Sequence, residues 1–153
     1  MSVAVTGRGV VTSLGEGADA FFESLAGGAS GIVDGLSTAT DFDPERYIDA
    51  RTARRIDRYA QFAIAAADQA ATEARLETCD PERVAVVIGT GVGGLITLQE
   101  QCASFFERGE RGVSPNFVPM MMPNAAAGWV AIRLGVHGPG FSVASACRCR
   151  GRR

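Results

Sequence analysis

Cys147 is the residue of this chain best placed to do chemistry. It follows a turn, Gly138-Pro139-Gly140, and a run of β-branched and small residues, Phe141-Ser142-Val143-Ala144-Ser145-Ala146, that reads as a short strand. A cysteine at the end of a strand, where a helix would begin, lies in the positive field of the helix N-terminus, which stabilises the thiolate. That is one way to make a nucleophilic cysteine. Here Cys147 is followed by Arg148-Cys149-Arg150-Gly151-Arg152-Arg153, in which no helix is expected.

Other chemistry-bearing patterns read as structural. Gly89, Gly91 and Gly94 satisfy G-x-G-x-x-G between a strand and a helix, the pattern of a dinucleotide site. The confirming acidic residue at the end of a second strand is missing, since Glu107 and Glu110 fall at a helix end and in a turn. Tight turning and close helix–sheet packing are the expected roles of these glycines. Cys147 and Cys149 are too few to hold a structural metal, and His137, the single histidine, sits in a turn. Met120-Met121-Met122 either line an apolar pocket or fill the core. Cys79 is expected in a turn and Cys102 on the buried face of a helix, both inert. Neither a cofactor nor a metal is expected.

The elements that must position these residues are those of a soluble domain. The chain has 153 residues, 46% of them apolar and 21% charged, with a net charge of −2. All fifteen basic residues are arginine. Acids and bases are interleaved over the body of the chain, so neither a nucleic-acid surface nor a membrane surface is expected. Met1 to Gly7 has no basic region before a long apolar run, and no stretch reaches the length of a membrane span. The four cysteines lack the density of a disulfide scaffold, which points to a cytoplasmic location.

Along the chain, Val3 to Val5 reads as a buried strand and Ala18 to Ala26 as a short helix with Phe21, Phe22 and Leu25 on one face. Ser30 to Tyr47 shows no sustained period and is expected to be a surface excursion. Ile56 to Leu76 is the longest helical pattern, with Ile56, Tyr59, Ala63, Ala66, Ala67 and Ala70 on its apolar side. Val84 to Ile88 is an unbroken apolar strand, as expected where both faces are covered. A helix from Leu95 to about Arg108 follows, with Leu98, Cys102 and Phe105 as its stripe. After a Pro- and Met-rich loop, Asn124 can cap a helix from Ala125 to Leu134 that Gly135 ends. The strand at Phe141 to Ser145 is the last. Strands alternating with helices predict an α/β layered architecture with mostly parallel pairing.

Several separated segments together resemble the N-terminal part of the β-ketoacyl synthases, the condensing enzymes of fatty acid and polyketide synthesis. They are Val5 to Gly15, Ala29 to Ile32, Arg55 to Phe62, Val87 to Gly94, Ser114 to Pro119, Pro123-Asn124, and Gly138-Pro139 through Ala146-Cys147. The resemblance implies a thiolase-like fold of two similar α/β/α halves with mixed five-stranded sheets. This chain would carry an incomplete N-terminal half. By the same resemblance Cys147 is the catalytic nucleophile that takes an acyl group from acyl carrier protein as a thioester. Malonyl-carrier protein then loses carbon dioxide, and its carbanion attacks that thioester in a Claisen condensation. Two histidines and part of the oxyanion hole would come from the other half, and the intact family forms homodimers.

Two departures stand out. The segment between Gly31 and Phe42 is shorter than in the family, and arginines follow Cys147 where the family places small residues entering a buried helix. Burying one such charge unpaired costs several kcal/mol, so the tail cannot take that path. The expected organisation is therefore a truncated synthase domain over residues 1–147 and a divergent arginine-rich tail over residues 148–153. Condensation is not expected from such a chain by itself. The alternatives are a non-catalytic fragment or decoy subunit of a condensing enzyme, and a thiolase-type acyltransferase. The Ser114–Pro119 loop and Asn124 favour condensing enzymes over thiolases.

Overall fold

The computed structural model describes residues 2–144; Cys147, Cys149 and the arginine-rich segment lie outside the described residues. Val11–Thr12 (β1) and Gly15–Glu16 (β2) form a short antiparallel hairpin. Helix α1 spans Ala18–Ala26 and stops at Gly27. Ile32–Val33 (β3) and Leu36–Ser37 (β4) form a second antiparallel hairpin, turned by Asp34 and Gly35 with φ of 51° and 79°. Helix α2 (Ala50–Ala53) is capped by Asp49, which accepts from the N–H groups of Arg51 and Thr52. Helix α3 (Arg58–Glu73) follows, then strand β5 (Val86–Gly89) and helix α4 (Leu95–Arg108). The short helix α5 (Phe117–Met121), helix α6 (Ala125–Leu134) and strand β6 (Gly140–Val143) complete the order.

The core lies where α3 and α6 cross beside the sheet. Ile56, Ala60, Ile64, Val86, Ala126, Ala127, Val130 and Val136 form its buried cluster. Small side chains on both helices let their axes approach closely, and Ile64 fills the space that remains. β5 and β6 pair in parallel, from Val86 opposite Gly140 to Gly89 opposite Val143. Parallel neighbours need a crossover, here provided by α4, α5 and α6. The result is a partial α/β layer: one parallel pair with helices against it, and two small antiparallel hairpins at the N-terminal side.

The structure departs from the sequence expectations at particular places. Val3 and Val5 form no strand and are 96% and 86% exposed. The reason lies four residues on: Gly7 and Gly9 press against α3, where a Cβ would run into the carbonyl oxygens of Ala70 and Ala66. The chain is thus drawn onto the helix, and an open groove of about 370 Å³ separates Val5–Gly7 from β5. Among the described residues only one face of β5 is covered, because Val86 is buried while Val87 is half exposed. Phe22 and Leu25 of α1 are likewise exposed, and α1 buries no residue. α4 buries Thr97 and Ser104 rather than the expected stripe, so Cys102 is exposed. Ser104 is satisfied there by donating to the Gly112 carbonyl at 2.5 Å.

The segment 30–47 is more ordered than its composition suggests. Besides the β3–β4 hairpin it holds a 3-10 turn, Pro44–Arg46, capped by Asp43, and buries Phe42. Arg58 of α3 stacks on Phe42 and Phe62, 4.8 and 4.9 Å from their ring centres, and donates to the carbonyls of Ala39 and Phe42. One guanidinium therefore fastens this segment to the main helix.

The glycine contacts make a paired prediction. Gly9→Ala should destabilise by about 1–3 kcal/mol, because backbone stands in the way of the new methyl group. Gly128→Ala, at an exposed site inside α6 with open space around it, should stabilise by about 0.5–1 kcal/mol. Urea unfolding followed by circular dichroism measures both.

Candidate functional site

The carboxyl ends of β5 and β6 face the same side, and the segments gathered there are tied together by Asp57. Asp57 is 4% exposed and precedes α3. Its Oδ1 accepts the Tyr59 N–H at 3.1 Å, the usual N-cap of its own helix. Its Oδ2 accepts the Thr97 N–H at 2.8 Å, in the first turn of α4. One carboxylate thereby caps two helices, reaching in the second an N–H 40 residues away in sequence. Both N-termini bring N–H groups without a partner in their own helix, and the carboxylate accepts one from each.

Tyr59, two residues on, ties down the next segment. Its hydroxyl donates to the Met122 carbonyl at 2.5 Å and accepts from the Ala126 N–H at 3.3 Å. Burial lifts the Tyr59 phenol above its ordinary range; the neighbouring Asp57 charge adds to the rise and the Ala126 N–H opposes it. The same segment is held from two further sides. Gly94 N–H donates to the Met121 carbonyl at 3.0 Å, and the Ser142 hydroxyl of β6 donates to the Pro123 carbonyl at 2.7 Å. Residues 121–124 thus bridge the glycine-rich turn after β5 and the strand β6 that leads toward Cys147.

This geometry decides the role of the glycine pattern. Gly93 (φ 95°) and Gly94 lie directly against the Met120–Pro123 backbone, where a Cβ on either would meet backbone atoms 2.7 Å away. The α4 N-terminus, where a dinucleotide phosphate would sit, already holds the Asp57 carboxylate. Packing is the role of Gly94, as the sequence suggested, and of Gly93, which lies outside the pattern; Gly89 and Gly91 have open space where a Cβ would stand, so close packing does not explain them. The methionines contribute through main chain as well, since the carbonyls of Met121 and Met122 accept the Gly94 and Tyr59 bonds. Asn124 stands at the α6 N-cap but makes no side-chain cap bond. Gly135 ends α6 in the left-handed conformation.

The other sequence candidates fall outside this corner. Cys79 is exposed beside a cavity of about 440 Å³ under the C-terminal ends of α3 and α6, whose wall includes the Asp68–Arg133 ion pair at 2.8 Å. His137 is exposed and meets Glu82 at 2.9 Å. Cys147 lies four residues beyond Val143, the end of β6, and outside the described residues. Sequence reasoning overlooked Asp57, although an aspartate just before a helical pattern is a readable N-cap signal. Its second bond, to Thr97, has no local signal.

A second feature adjoins α3. Arg51, Arg54 and Arg55 are exposed around α2, a cationic surface close to the start of the long helix. Among the described residues no helix is long and apolar enough to cross a membrane.

Two measurements follow from the corner. Asp57→Ala removes both caps and leaves a buried Thr97 N–H without its partner, so it should cost about 2–4 kcal/mol in urea unfolding, and Asp57→Asn about half as much. Tyr59→Phe should cost about 1 kcal/mol at neutral pH. Because folding raises the Tyr59 pKa, its contribution is complete below the ordinary value of 10.0 and is lost as pH rises through the folded-state value. The advantage of the natural protein over Tyr59→Phe should therefore shrink in unfolding titrations above pH 10.0.

Residues 34–148 match the family description "Beta-ketoacyl synthase, N-terminal domain". The chain is 34% identical over 162 residues to 3-oxoacyl-[acyl-carrier-protein] synthase I, chloroplastic, of Arabidopsis thaliana, a match covering 95% of this chain and 34% of that protein. It is 35% identical over 159 residues to 3-oxoacyl-[acyl-carrier-protein] synthase 2 of Synechocystis, covering 95% of this chain and 38% of that protein. The chain thus spans between a third and two fifths of the length of these curated relatives. The fold superposes on the ishigamide ketosynthase/chain length factor with a TM-score of 0.82 at 26% identity, over 94% of this chain and 40% of that one. It also superposes on a ketosynthase solved with its type II PKS acyl-carrier protein, with a TM-score of 0.78 at 24% identity, over 92% of this chain and 41% of that one. The thiolase-like fold expected from the sequence is the fold of these neighbours, and the chain belongs to the β-ketoacyl synthase family, matching its N-terminal domain.

Proposed function

We propose that the chain carries the acyl-accepting half of a 3-oxoacyl-acyl-carrier-protein synthase, with Cys147 as the nucleophile. The observation that carries this reading is the family match, which runs through residue 148 and so includes Cys147 and the strand before it. In the proposed reaction the Cys147 thiolate attacks the thioester carbonyl of an acyl carrier protein, and the carrier's thiol leaves with the electron pair of the broken C–S bond. Malonyl-carrier protein then loses carbon dioxide, the carbanion attacks the Cys147 thioester, and the thiolate departs as the new carbon–carbon bond forms. The oxyanion of each tetrahedral intermediate needs N–H donors, and decarboxylation needs the two histidines that the family draws from its other half. These 153 residues hold one histidine, His137, at the surface with Glu82. The part of the reaction assigned to this chain is therefore acyl transfer to Cys147.

The carrier protein is the proposed partner, as in the neighbour solved with its acyl-carrier protein. Arg51, Arg54 and Arg55 offer an acidic carrier a cationic landing surface beside α3. Val87, Phe141 and Val143 expose apolar surface on the β5–β6 pair, consistent with a need for further covering elements, whether the family's other half or a second copy of the dimer.

The reading is tested by incubating the chain with an acyl-loaded carrier protein and mapping adducts by mass spectrometry. Acylation is expected at Cys147, absent in Cys147→Ala, and no β-ketoacyl product is expected from malonyl-carrier protein. Acylation no faster at Cys147 than at Cys79, Cys102 and Cys149 would overturn the nucleophile assignment. Arg54→Glu with Arg55→Glu should slow transfer about tenfold at low ionic strength and less at high, since exposed charges are screened by salt.

A further inference from the structure

β6 ends in a clamp. Its ladder with β5 runs from Gly140 to Val143, and the Thr90 N–H, in the glycine-rich turn, extends it by donating to the Val143 carbonyl at 3.1 Å. From another side the Ser142 hydroxyl donates to the Pro123 carbonyl at 2.7 Å. Adjacent residues of one strand are therefore held by two different segments, the turn after β5 and the segment that enters α6.

Both anchors are themselves fixed. Thr90 Oγ1 accepts the Gly93 N–H at 3.1 Å, and Gly94 donates to the Met121 carbonyl. Pro123 follows Met122, whose carbonyl accepts the Tyr59 hydroxyl, and its backbone lies against Gly93. The contacts close into a ring: Thr90, Gly93-Gly94, residues 121–123, Ser142-Val143, and Thr90 again.

In this ring β6 contributes one side chain. Side chains alternate along a strand, so Ser142 stands on the face opposite Phe141 and Val143. Phe141 and Val143 are exposed, whereas Ser142 is half-buried. A β-branched residue would serve a strand better at that position. What serine supplies instead is the hydroxyl. Cys147 follows Val143 by four residues, and four residues of chain reach at most about 14 Å. The direction in which the clamp releases the strand therefore limits where the thiol can be presented.

We propose that Ser142 is a positioning residue for Cys147, its hydroxyl bond to Pro123 setting the line on which the thiolate meets an acyl thioester. This role rests on the assignment of Cys147 as the nucleophile and adds the group that aims it. Attack on a thioester carbonyl held by a carrier protein needs close approach and alignment, so a small misplacement slows it strongly. Alkylation by a small reagent free in solution has no docked partner to align with and is much less sensitive to aim.

The test compares Ser142→Thr, which keeps a hydroxyl, with Ser142→Val, which has the same branched shape without one. The natural chain and both variants react with an acyl-loaded carrier protein in single-turnover experiments, and separately with iodoacetamide, each followed at Cys147 by mass spectrometry. Ser142→Val should slow acyl transfer about tenfold and alkylation less than about twofold, while Ser142→Thr stays within about threefold of the natural chain in both. Gly9→Ala, which weakens the fold at a contact outside the ring, should leave transfer unchanged. Equal transfer in the valine and threonine variants, equal slowing of transfer and alkylation, or slowing by Gly9→Ala as large as by Ser142→Val would overturn the positioning role. A natural chain that shows no preference for Cys147 would overturn the nucleophile assignment and this role with it. A preference kept at full rate in Ser142→Val would remove the positioning role alone.

Discussion

A single buried carboxylate holds together the corner at the carboxyl ends of β5 and β6. Asp57 satisfies N–H groups in the first turns of α3 and α4, helices that meet at this corner and nowhere share a local sequence cue. Helix N-termini bring unpaired donors and partial positive charge, and burying two of them in one place would be unfavourable without an anion between them. With that anion in place, α4 can leave the end of β5 at a fixed angle. Gly93 and Gly94 then bring the turn into contact with residues 120–123, and Tyr59 and Ser142 lock those residues from the other sides. The strand that leads toward Cys147 inherits its position from this arrangement.

The remainder of the fold is economical. One alanine-rich helix pair and one parallel strand pair make the core, while the β5–β6 face, the groove beside Val5–Gly7 and the N-terminal lobe keep apolar surface in solvent. In a partial layer of this kind, stability comes from a few close contacts rather than from a large buried volume. Gly7 and Gly9 against α3, and Arg58 between Phe42 and Phe62, are contacts of this sort. Each attaches a segment that has few apolar anchors of its own.

Much of this was legible in the sequence, and the failures have physical causes. Helices α1, α3, α4 and α6 follow from periodicity and from stop signals such as Gly27 and Gly135, because those cues are local. The family resemblance was legible for the same reason: its motifs are turns and helix starts with strict local demands. Val3–Val5 was misread because strand formation depends on a neighbour, and here the glycines hand the chain to a helix instead. The face of α4 was misread because its buried positions are polar, with Thr97 and Ser104 satisfied by bonds that no hydropathy pattern records. The β3–β4 hairpin was passed over although Asp34-Gly35 is a hairpin turn signal, since its flanking apolar residues are exposed and lack alternation with a core. At the corner below β5 and β6, the Asp57 cap of its own helix has a local cue, whereas the Asp57–Thr97 bond joins residues with nothing in sequence to relate them.

Hydrogen exchange at the Thr97 amide tests the central claim most directly. That N–H lies in the first turn of α4, where an amide has no partner within its own helix, and its acceptor is the Asp57 carboxylate. Exchange measured by NMR should be slowed to the level of interior α4 amides in the natural protein, and should return to that of an exposed amide in Asp57→Ala while the C-terminal half of α4 stays protected. Fast exchange at Thr97 in the natural protein, or protection that survives Asp57→Ala, would contradict the claim that this carboxylate joins the two helices and sets the path of the strand leading to Cys147.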